Sequence, residues 1–593
     1  MNAPDPAADG WPDTPLASGA GSLFGSDAIA AMLRRLAIPY LALNPGASYR
    51  GLHDSLVNYL GNRAPAMLLC LHEESAVAIA HGYAKVTGRP MGAVLHSNVG
   101  LMHGSMAIFN AWCDRAPMVL LGATGPVDAA LRRPWIDWIH TASDQAALVR
   151  DFTKWDNQPG SIAAAFEALL RAHQIACTPP CGPTYVNLDA ALQEAPLAAM
   201  PPLPDPARFA AAAPLRPGDA SLTRMVARLD AAKEPVMLMG RTARDEASWH
   251  ARVALAERLQ ARVITDLKMP AAFPTDHPLH AGPPGVFLSP ACIDALRGAD
   301  VLLALDWYDV AGTLKQAYGD APIGAAVINV SPDAHVHRGW SMDHQGLAPA
   351  DDYLMCEPDV AVAALLERVT RHAPRPTAVP AALPPASNAV SIRTLAEALN
   401  AVAARRDICL ARVPLGWHGA YRHFRAPLDY IGLEGGGGVG AGPGLTVGAA
   451  LALRGSGRMP VAIMGDGDFL MGVTAIWTAA HYRLPCVILV ANNRSFYNDE
   501  VHQERVARAR GRPIENKWVG QRVDAPDIDL AALARAQGAH AIGPIEALAQ
   551  LSPALEQALA AADAGRVAVV DVRVQPGYDA NPSGAASHQR ATR

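Results

Sequence analysis

Short apolar runs separated by helix-length segments recur along the whole chain. These runs are continuously apolar rather than alternating, which is typical of parallel strands covered by helices on both faces. We therefore expect an α/β chain of doubly wound parallel sheets, with ligands bound beyond the carboxyl ends of the strands. The predicted strands are residues 67–71, 91–95, 118–121, 184–188, 236–239, 263–265, 301–305, 326–330, 461–464, 486–490 and 567–572.

Two stretches rich in proline and alanine, residues 196–218 and 373–387, divide the 593 residues. Both are predicted to be linkers, because proline removes a backbone donor and favours extended chain. The division predicts three doubly wound domains. They span residues 20–195, 219–372 and 388–578, between a flexible arm at 1–19 and a tail at 579–593.

Charge and composition narrow the partners that the chain can have. The formal net charge of −5 argues against nucleic acid or an anionic membrane as the main partner. The N-terminal residues lack a signal-peptide pattern, and no apolar run of about 18 residues predicts a membrane span. The eight cysteines are scattered along the chain, which is typical of proteins in reducing compartments. We expect a cytoplasmic protein that acts on a small molecule.

The most specific local pattern lies in residues 464–496. A strand ends in a predicted tight turn of Gly465, Asp466 and Gly467, followed by a helix at 473–482 and a strand that ends at two asparagines. A right-handed crossover would bring Asp466 and Asn493 into one crevice. Carboxylate and amide oxygens suit Mg²⁺ beside a phosphate, which glycine turns can approach closely. An ordinary strand–turn–helix with a capping aspartate is the alternative.

This segment resembles the diphosphate-binding motif of thiamine-diphosphate enzymes, in which a GDG triplet precedes an NN pair by about thirty residues. The resemblance implies a thiamine diphosphate site that includes Gly465 and Gly467. It also implies that Mg²⁺ is held by Asp466, Asn493 and the backbone carbonyl of Ser495.

A glycine-rich stretch at residues 432–453 precedes this motif. Alone it could be a flexible linker or a weak nucleotide loop. Beside the motif it resembles the family's loop over the middle of the cofactor. The resemblance implies that the Gly437 carbonyl meets the 4′-amino group and that Val439 is the apolar wedge that bends the cofactor.

A glutamate at a predicted helix start follows the strand at 67–71. The sequence from His72 to Ala84 resembles the family's H-E-x(8)-G-Y-A pattern, which identifies Glu73 as the carboxylate that activates the cofactor pyrimidine. Glu74 is one residue short of that spacing. A glutamate in a first helical turn also favours the helix dipole without any catalytic role.

His96 stands in an LHS context that resembles the benzoylformate decarboxylase branch, where a histidine transfers protons. A histidine after a strand can also be structural. The branch's NPG turn is present before Ala47, but the serine expected at that position comes one residue later, as Ser48. His103 stands where the family usually has asparagine. We expect substrate contacts from Ala47, Ser48, His103, Phe496 and Asn498, and polar contacts from Glu500.

The resemblance implies an enzyme that cleaves a carbon–carbon bond next to a carbonyl, and a 2-oxo acid decarboxylase or other lyase is favoured. An acetolactate-synthase-like carboligase is the alternative, and a non-catalytic, cofactor-binding regulatory subunit is an alternative of another class. An unrelated nucleotide-binding protein would need a Walker-type loop, and the sequence has none. The resemblance also implies a homodimer or homotetramer, with Glu73 and Asp466 of each active site on different subunits.

The central domain offers less. It lacks a convincing GxGxxG loop, so FAD is not favoured, although the sequence leaves it open. Four residues at positions 335–344 could bind a second metal ion, and an exposed loop is the favoured interpretation there: His335, His337, Asp343 and His344.

Overall fold

The computed structural model describes residues 11–16, 21–333, 346–375, 383, 386 and 388–577. Three parallel sheets, each covered by helices, follow one another along the chain. The predicted α/β class with three doubly wound domains is confirmed. The predicted domain boundaries stay a prediction, and the histidine-rich segment at 335–344 lies outside the described residues.

The first sheet has six parallel strands in the order β3-β2-β4-β5-β7-β6, beside a separate antiparallel pair, β1 with β8. Its strands are β1 (Leu23–Phe24), β2 (Tyr40–Leu43), β3 (Ala66–Leu69), β4 (Met91–Leu95), β5 (Met118–Thr124), β6 (Asp156–Asn157), β7 (Pro183–Asp189) and β8 (Pro196–Leu197). Its helices are α1 (Gly25–Arg35), α2 (Arg50–Asp54), α3 (Glu73–Thr87), α4 (Ser97–Cys113), α5 (Ile136–Ile139), α6 (Ile162–Cys177) and α7 (Ala190–Glu194).

The central sheet has five parallel strands in the order β10-β9-β11-β12-β13. They are β9 (Pro235–Met239), β10 (Arg262–Ile264), β11 (Val301–Leu305), β12 (Ala326–Val330) and β13 (Asp352–Leu354). The helices are α8 (Asp219–Ala231), α9 (Glu246–Leu259), α10 (Pro290–Arg297), α11 (Val310–Tyr318) and α12 (Pro358–Leu366).

The third sheet has five parallel strands in the order β14-β15-β16-β18-β17. They are β14 (Ile408–Arg412), β15 (Met459–Gly465), β16 (Cys486–Asn492), β17 (His540–Ile545) and β18 (Val567–Arg573). The helices are α13 (Ile392–Val402), α14 (Ala441–Ala452), α15 (Asp466–Gly472), α16 (Ala475–His481), α17 (Tyr497–Ala509), α18 (Leu530–Ala536) and α19 (Leu548–Asp563).

All eleven predicted strands exist, with ends that differ by up to three residues, but the region after β15 differs from its prediction. No tight turn separates β15 from a helix, because α15 begins directly at Asp466. The predicted helix at 473–482 is also wrong in extent, since α15 and α16 divide this region. The break occurs where Gly472 lies so close to the Gly440 carbonyl oxygen that a Cβ would approach it to 2.2 Å.

None of the helices in the described residues is long and apolar enough to cross a membrane. All eight cysteines are free thiols.

The first and third domains meet through an unusually close contact between α3 and α14. A Cβ on Gly82 would lie 2.2 Å from the backbone oxygen of Leu445, and one on Gly448 would lie 2.1 Å from that of Ile79. Side chains at these positions would separate the helices, so glycine fixes how closely α3 approaches α14. Helix α3 carries Glu73 at its first residue, and α14 follows the glycine-rich loop.

We expect Gly82→Ala to lower the free energy of unfolding by about 1–3 kcal/mol, the usual cost of overpacking. The obstructing atom is backbone, which cannot turn away as a side chain can. Alanine's better helix propensity, roughly 1 kcal/mol, offsets part of the cost. Chemical denaturation measures the change. Gly160→Ala, where a Cβ meets nothing within 4 Å, is the control, and equal stability of the two variants would contradict this account.

Candidate active site

The carboxyl ends of β15 and β16 lie side by side, with Gly465 paired to Ala491. The backbone N–H of Ser495 lies 3.3 Å from Asp466 Oδ2 and 2.9 Å from Asn493 Oδ1. The two side chains proposed as metal ligands therefore converge on one amide. Asp466 Oδ1 also accepts the Gly467 N–H at 2.8 Å. Oxygen donors of this kind form the set that a hard cation such as Mg²⁺ prefers.

Burial dominates the electrostatics of Asp466, which is only 4% exposed. It raises the pKa of the carboxyl group, although the neighbouring backbone N–H groups act in the opposite direction. A buried carboxylate is stabilised by a cation. The position therefore favours a metal ion on electrostatic grounds as well as by donor type.

Asp468 is not among the predicted site residues, yet it ties the glycine-rich loop to the end of β15. Its Oδ1 accepts the N–H groups of Gly440 at 2.8 Å and Gly442 at 3.1 Å. Its Oδ2 accepts from Arg412 Nε at 2.9 Å. Its position two residues after Asp466 in the sequence could have indicated that Asp468 also belongs to the site.

The glycine-rich loop leaves room where the cofactor's middle is expected. Gly437 has a φ of +70°, and a Cβ there would meet nothing within 4 Å. Val439 is 38% exposed, so its side chain can contact a ligand. The N–H of Gly438 donates to Asn110 Oδ1 of the first domain at 3.2 Å. The open space and the oxygen donors together fit thiamine diphosphate with Mg²⁺.

Glu73 begins α3, as expected, and is buried. Its Oε2 lies 3.2 Å from His103 Nδ1. A Cβ on Gly100 would lie 3.1 Å from its Oε1, so glycine makes room for the carboxylate. The preceding residue, His72, caps the helix, with Nδ1 accepting the Glu74 N–H at 3.1 Å.

His96 directly precedes α4, and its side chain lies against Gly46 of the NPG turn. Its Nδ1 lies 2.9 Å from Ser48 Oγ, which also accepts the Ser97 N–H at 3.2 Å. The hydroxyl group that contacts this histidine therefore comes from Ser48, one residue after the position at which the branch has its serine. The ring of His140 meets the His96 ring edge-on, with centroids 4.8 Å apart. His140 is not among the predicted residues, and no local pattern in the sequence points to it.

The electrostatic surroundings of His96 lower its pKa. Burial has the largest effect, followed by the positive potential of His140, and Arg133 acts in the same direction. Glu73 opposes them. His96 is therefore held in its neutral form to lower pH than an ordinary histidine, and a neutral histidine can accept a proton.

We expect His140→Asn to raise the pKa of His96, because it removes the ring whose positive potential lowers that pKa. The imidazole signal of His96 in an NMR titration measures this shift directly. The acid limb of the pH–activity profile should move to higher pH by the same amount if neutral His96 is required. An unchanged His96 titration in the variant would show that the contact between the rings carries no electrostatic weight.

The segment after Asn493 holds the remaining predicted contacts. Phe496 is 39% exposed and packs over Gly467, where a Cβ would lie 2.7 Å from its ring. Asn498 lies in the first turn of α17. Glu500 is buried and accepts from Ser495 Oγ at 2.6 Å. Glu500 therefore helps to fix Ser495, and its expected polar contact with substrate stays a prediction.

In this structure the start of α3, which carries Glu73, and the region of α15, which carries Asp466, approach one another within one chain. Ser75 Oγ of α3 lies 3.3 Å from Thr474 Oγ1 beyond α15. A Cβ on Gly440 would lie 3.8 Å from Glu74 Oε1. The distribution of each site over two subunits stays a prediction.

In the central domain, an arginine of the first domain pairs with two aspartates at the ends of β11 and β12. Arg115 of the first domain donates to Asp306 and Asp333, both at 2.9 Å. The cavity that remains among the described residues there has a volume of about 30 Å³. That FAD is not favoured in this domain stays a prediction.

Three family models match the chain: the N-terminal TPP binding domain of thiamine pyrophosphate enzymes at residues 24–148, the central domain at 222–339 and the C-terminal TPP binding domain at 414–572. Benzoylformate decarboxylase of Pseudomonas aeruginosa is 30% identical over 509 residues, which cover 83% of this chain and 89% of that protein. The large subunit of acetolactate synthase isozyme 1 of Escherichia coli is 25% identical over 506 residues, covering 81% and 83%.

Among solved structures, benzoylformate decarboxylase from Polynucleobacter necessarius aligns with a TM-score of 0.77 and 20% identity, over 94% of this chain and 99% of that one. At this identity the likeness shows a shared fold.

Proposed function

We propose, from the premise that this chain belongs to the thiamine pyrophosphate enzyme family, that it is a Mg²⁺-dependent decarboxylase of 2-oxo acids. The chain is an enzyme, either a lyase or a transferase of this family. The alternative of a non-catalytic regulatory subunit is therefore set aside. The reaction would convert the carboxylate anion of a 2-oxo acid and a proton into an aldehyde and CO₂.

The observation that carries this proposal is the shared contact of Asp466 and Asn493 with the Ser495 amide. It supports a site where these two side chains and the Ser495 carbonyl hold Mg²⁺ against the cofactor's diphosphate. Gly465 and Gly467 keep the backbone free of side chains beside it. Helix α15 begins at Asp466, and its first-turn N–H groups add positive potential for an anion.

When bound, thiamine diphosphate supplies the carbon nucleophile for a carbonyl and accepts the electrons of the bond that breaks. In our proposal the chain's residues orient it. Glu73 would hold or share a proton at the cofactor pyrimidine, Val439 would contact the middle of the cofactor, and the Gly437 carbonyl would accept from its amino group. The buried setting of Glu73 strengthens that interaction because little water competes for it.

His96 favours decarboxylation over carboligation in this proposal. Held neutral by burial and by His140, it can take up a proton and deliver it to the carbon from which CO₂ has left. Ser48 fixes the orientation of its ring. Carboligation to a second carbonyl, as in an acetolactate-synthase-like enzyme, remains the second candidate, and the match to the E. coli acetolactate synthase subunit supports it.

We further propose that the enzyme is a cytoplasmic homodimer or homotetramer that acts on a small carbonyl compound. Exposed apolar side chains lie on the two domains that carry the candidate site, and an oligomer interface would bury them. They include Trp135, Trp138, Met102, Met471 and Phe496.

Product analysis tests the proposed function. The purified protein is incubated with thiamine diphosphate, Mg²⁺ and a panel of 2-oxo acids, and CO₂, aldehydes and hydroxyketones are quantified. Aldehyde formed in step with CO₂ would establish a decarboxylase. Hydroxyketone in its place would establish the carboligase instead. Omission of Mg²⁺ in the presence of a chelator should remove the activity.

A further inference from the structure

Helix α3 begins beside three side chains that can all bind a metal ion: His72, Glu73 and His103, here called the His–Glu–His cluster. We propose that this cluster binds a divalent transition-metal ion, with Zn²⁺ as the probe, and that the ion competes with the cofactor for Glu73. The competition rests on the proposed function, whereas the metal site itself does not. It is separate from the Mg²⁺ site proposed at Asp466.

The geometry of the cluster is close to that of a metal site. Glu73 Oε2 and His103 Nδ1 are 3.2 Å apart, and one ligand atom from each of the three residues lies within 4.8 Å of the others. Donor atoms in a tetrahedral zinc site are roughly 3.3 Å apart. The pair formed by Glu73 and His103 already has this spacing. To reach the spacing of a tetrahedral zinc site, the ligand atom of His72 has to move by up to about 1.5 Å.

The cluster has the freedom to make this adjustment. The His103 side chain is 54% exposed and can rotate. Its ring stacks on that of His72, with centroids 5.2 Å apart. Nδ1 of His72 accepts the Glu74 N–H, so its lone pair is directed toward the start of α3. Metal coordination would replace this hydrogen bond and leave the Glu74 amide to water, as happens to other first-turn amides.

The charge balance also favours a cation. Glu73 is buried, and among the described residues no lysine or arginine forms an ion pair with it. A buried carboxylate without a fixed cation is costly. Two imidazoles and one carboxylate form a donor set that suits Zn²⁺ and related transition metals, rather than the all-oxygen set that suits Mg²⁺.

Occupation of the cluster would have a direct consequence for the proposed enzyme. The carboxylate that must reach the cofactor pyrimidine would be coordinated to the ion, so a bound metal ion and a productively bound cofactor would exclude each other. His103 completes the cluster at the position where asparagine is usual in the family. The chain's departure from the family pattern therefore creates the site.

Isothermal titration with Zn²⁺ tests the metal site without using turnover. The protein is full-length, tag-free and stripped of cofactor and metal, and Asp466→Ala removes the proposed Mg²⁺ site from the titration. We expect one Zn²⁺ per chain. Adding His103→Asn or His72→Asn should weaken binding at least tenfold, whereas His250→Asn, an exposed histidine far along the chain on α9, should leave it unchanged.

Equal affinity in the His103→Asn and His72→Asn proteins would overturn the site, because Zn²⁺ would then be bound elsewhere. The competition is measured on wild-type and His103→Asn protein, and saturating thiamine diphosphate with Mg²⁺ should weaken at least tenfold the Zn²⁺ binding that His103→Asn removes. Zn²⁺ binding that the cofactor leaves unchanged would overturn the competition. Failure of the proposed function would instead appear in product analysis, with the Zn²⁺ titration unaffected.

Discussion

Glu73→Gln is expected to lower turnover by about 10²–10⁴-fold, the usual contribution of a general acid or base, while thiamine diphosphate binds nearly as well. Glutamine has the size of glutamate, so it fits the space beside Gly100. It cannot exchange a proton with the pyrimidine. Initial rates of CO₂ release measure turnover, and quenching of tryptophan fluorescence on cofactor addition measures binding.

Glu74→Gln is the matched control for this prediction. Glu74 is the next residue on α3 and is half-buried, with a pKa raised by burial and by the negative potential of Asp468. Because its side chain lies one position from the family spacing, we expect its loss to change turnover less than tenfold. Near-normal turnover in Glu73→Gln, or an equal loss in both variants, would remove Glu73 from the activating role.

The strands could be predicted from sequence because their burial on both faces demands continuous apolar runs. A buried charge can interrupt such a run. Strand β14 is not among the predictions, and its last residue is Arg412, which is buried and forms ion pairs with Glu434 and Asp468. These partners come from loops and helices remote in sequence. No local rule marks an arginine as a strand residue.

The candidate site likewise contains residues that local patterns predict and residues that they do not. Glu73, Asp466, Asn493 and Ser495 lie in segments whose spacing follows from one local unit, a helix start or a strand–helix–strand crossover. His140 contacts His96 only because the segment that follows β5 passes the start of α4. Such a contact depends on tertiary structure, and a single sequence carries no periodic signal for it.

The same limit applies to the break between α15 and α16. In place of the single helix predicted over residues 473–482, α15 and α16 form, and they are separated where Gly472 closely approaches the Gly440 carbonyl. Packing of the glycine-rich loop thus overrides local helix preference. This packing positions the loop so that the N–H groups of Gly440 and Gly442 reach Asp468.

Whether one chain or two complete each active site has a test with a large expected effect. The close contact between α3 and α14 forms within one chain in this structure. The same contact can form between two copies that exchange domains, since an identical interface is then satisfied in trans. The exposed apolar side chains near both parts of the site favour a second copy against this region. We therefore expect sites shared between subunits.

Co-expression of Glu73→Gln and Asp466→Ala chains, each carrying a different affinity tag, separates the two arrangements. Each variant alone should be nearly inactive, one through lost activation and the other through lost Mg²⁺ and cofactor binding. In a mixed dimer with shared sites, one site collects both defects and the other collects neither. Random pairing of equal amounts should then restore about a quarter of wild-type activity per chain, as expected for a two-fold symmetric dimer.

Sites completed within single chains would give no restored activity, because every site would keep one defect. Purification through both tags in sequence isolates the mixed dimer, whose activity should be about half that of wild type if its two sites act independently. A mixed dimer as inactive as its parents would place Glu73 and Asp466 of each site on the same chain. Co-expressed Glu73→Gln chains with two different tags control for any gain from tagging or mixing.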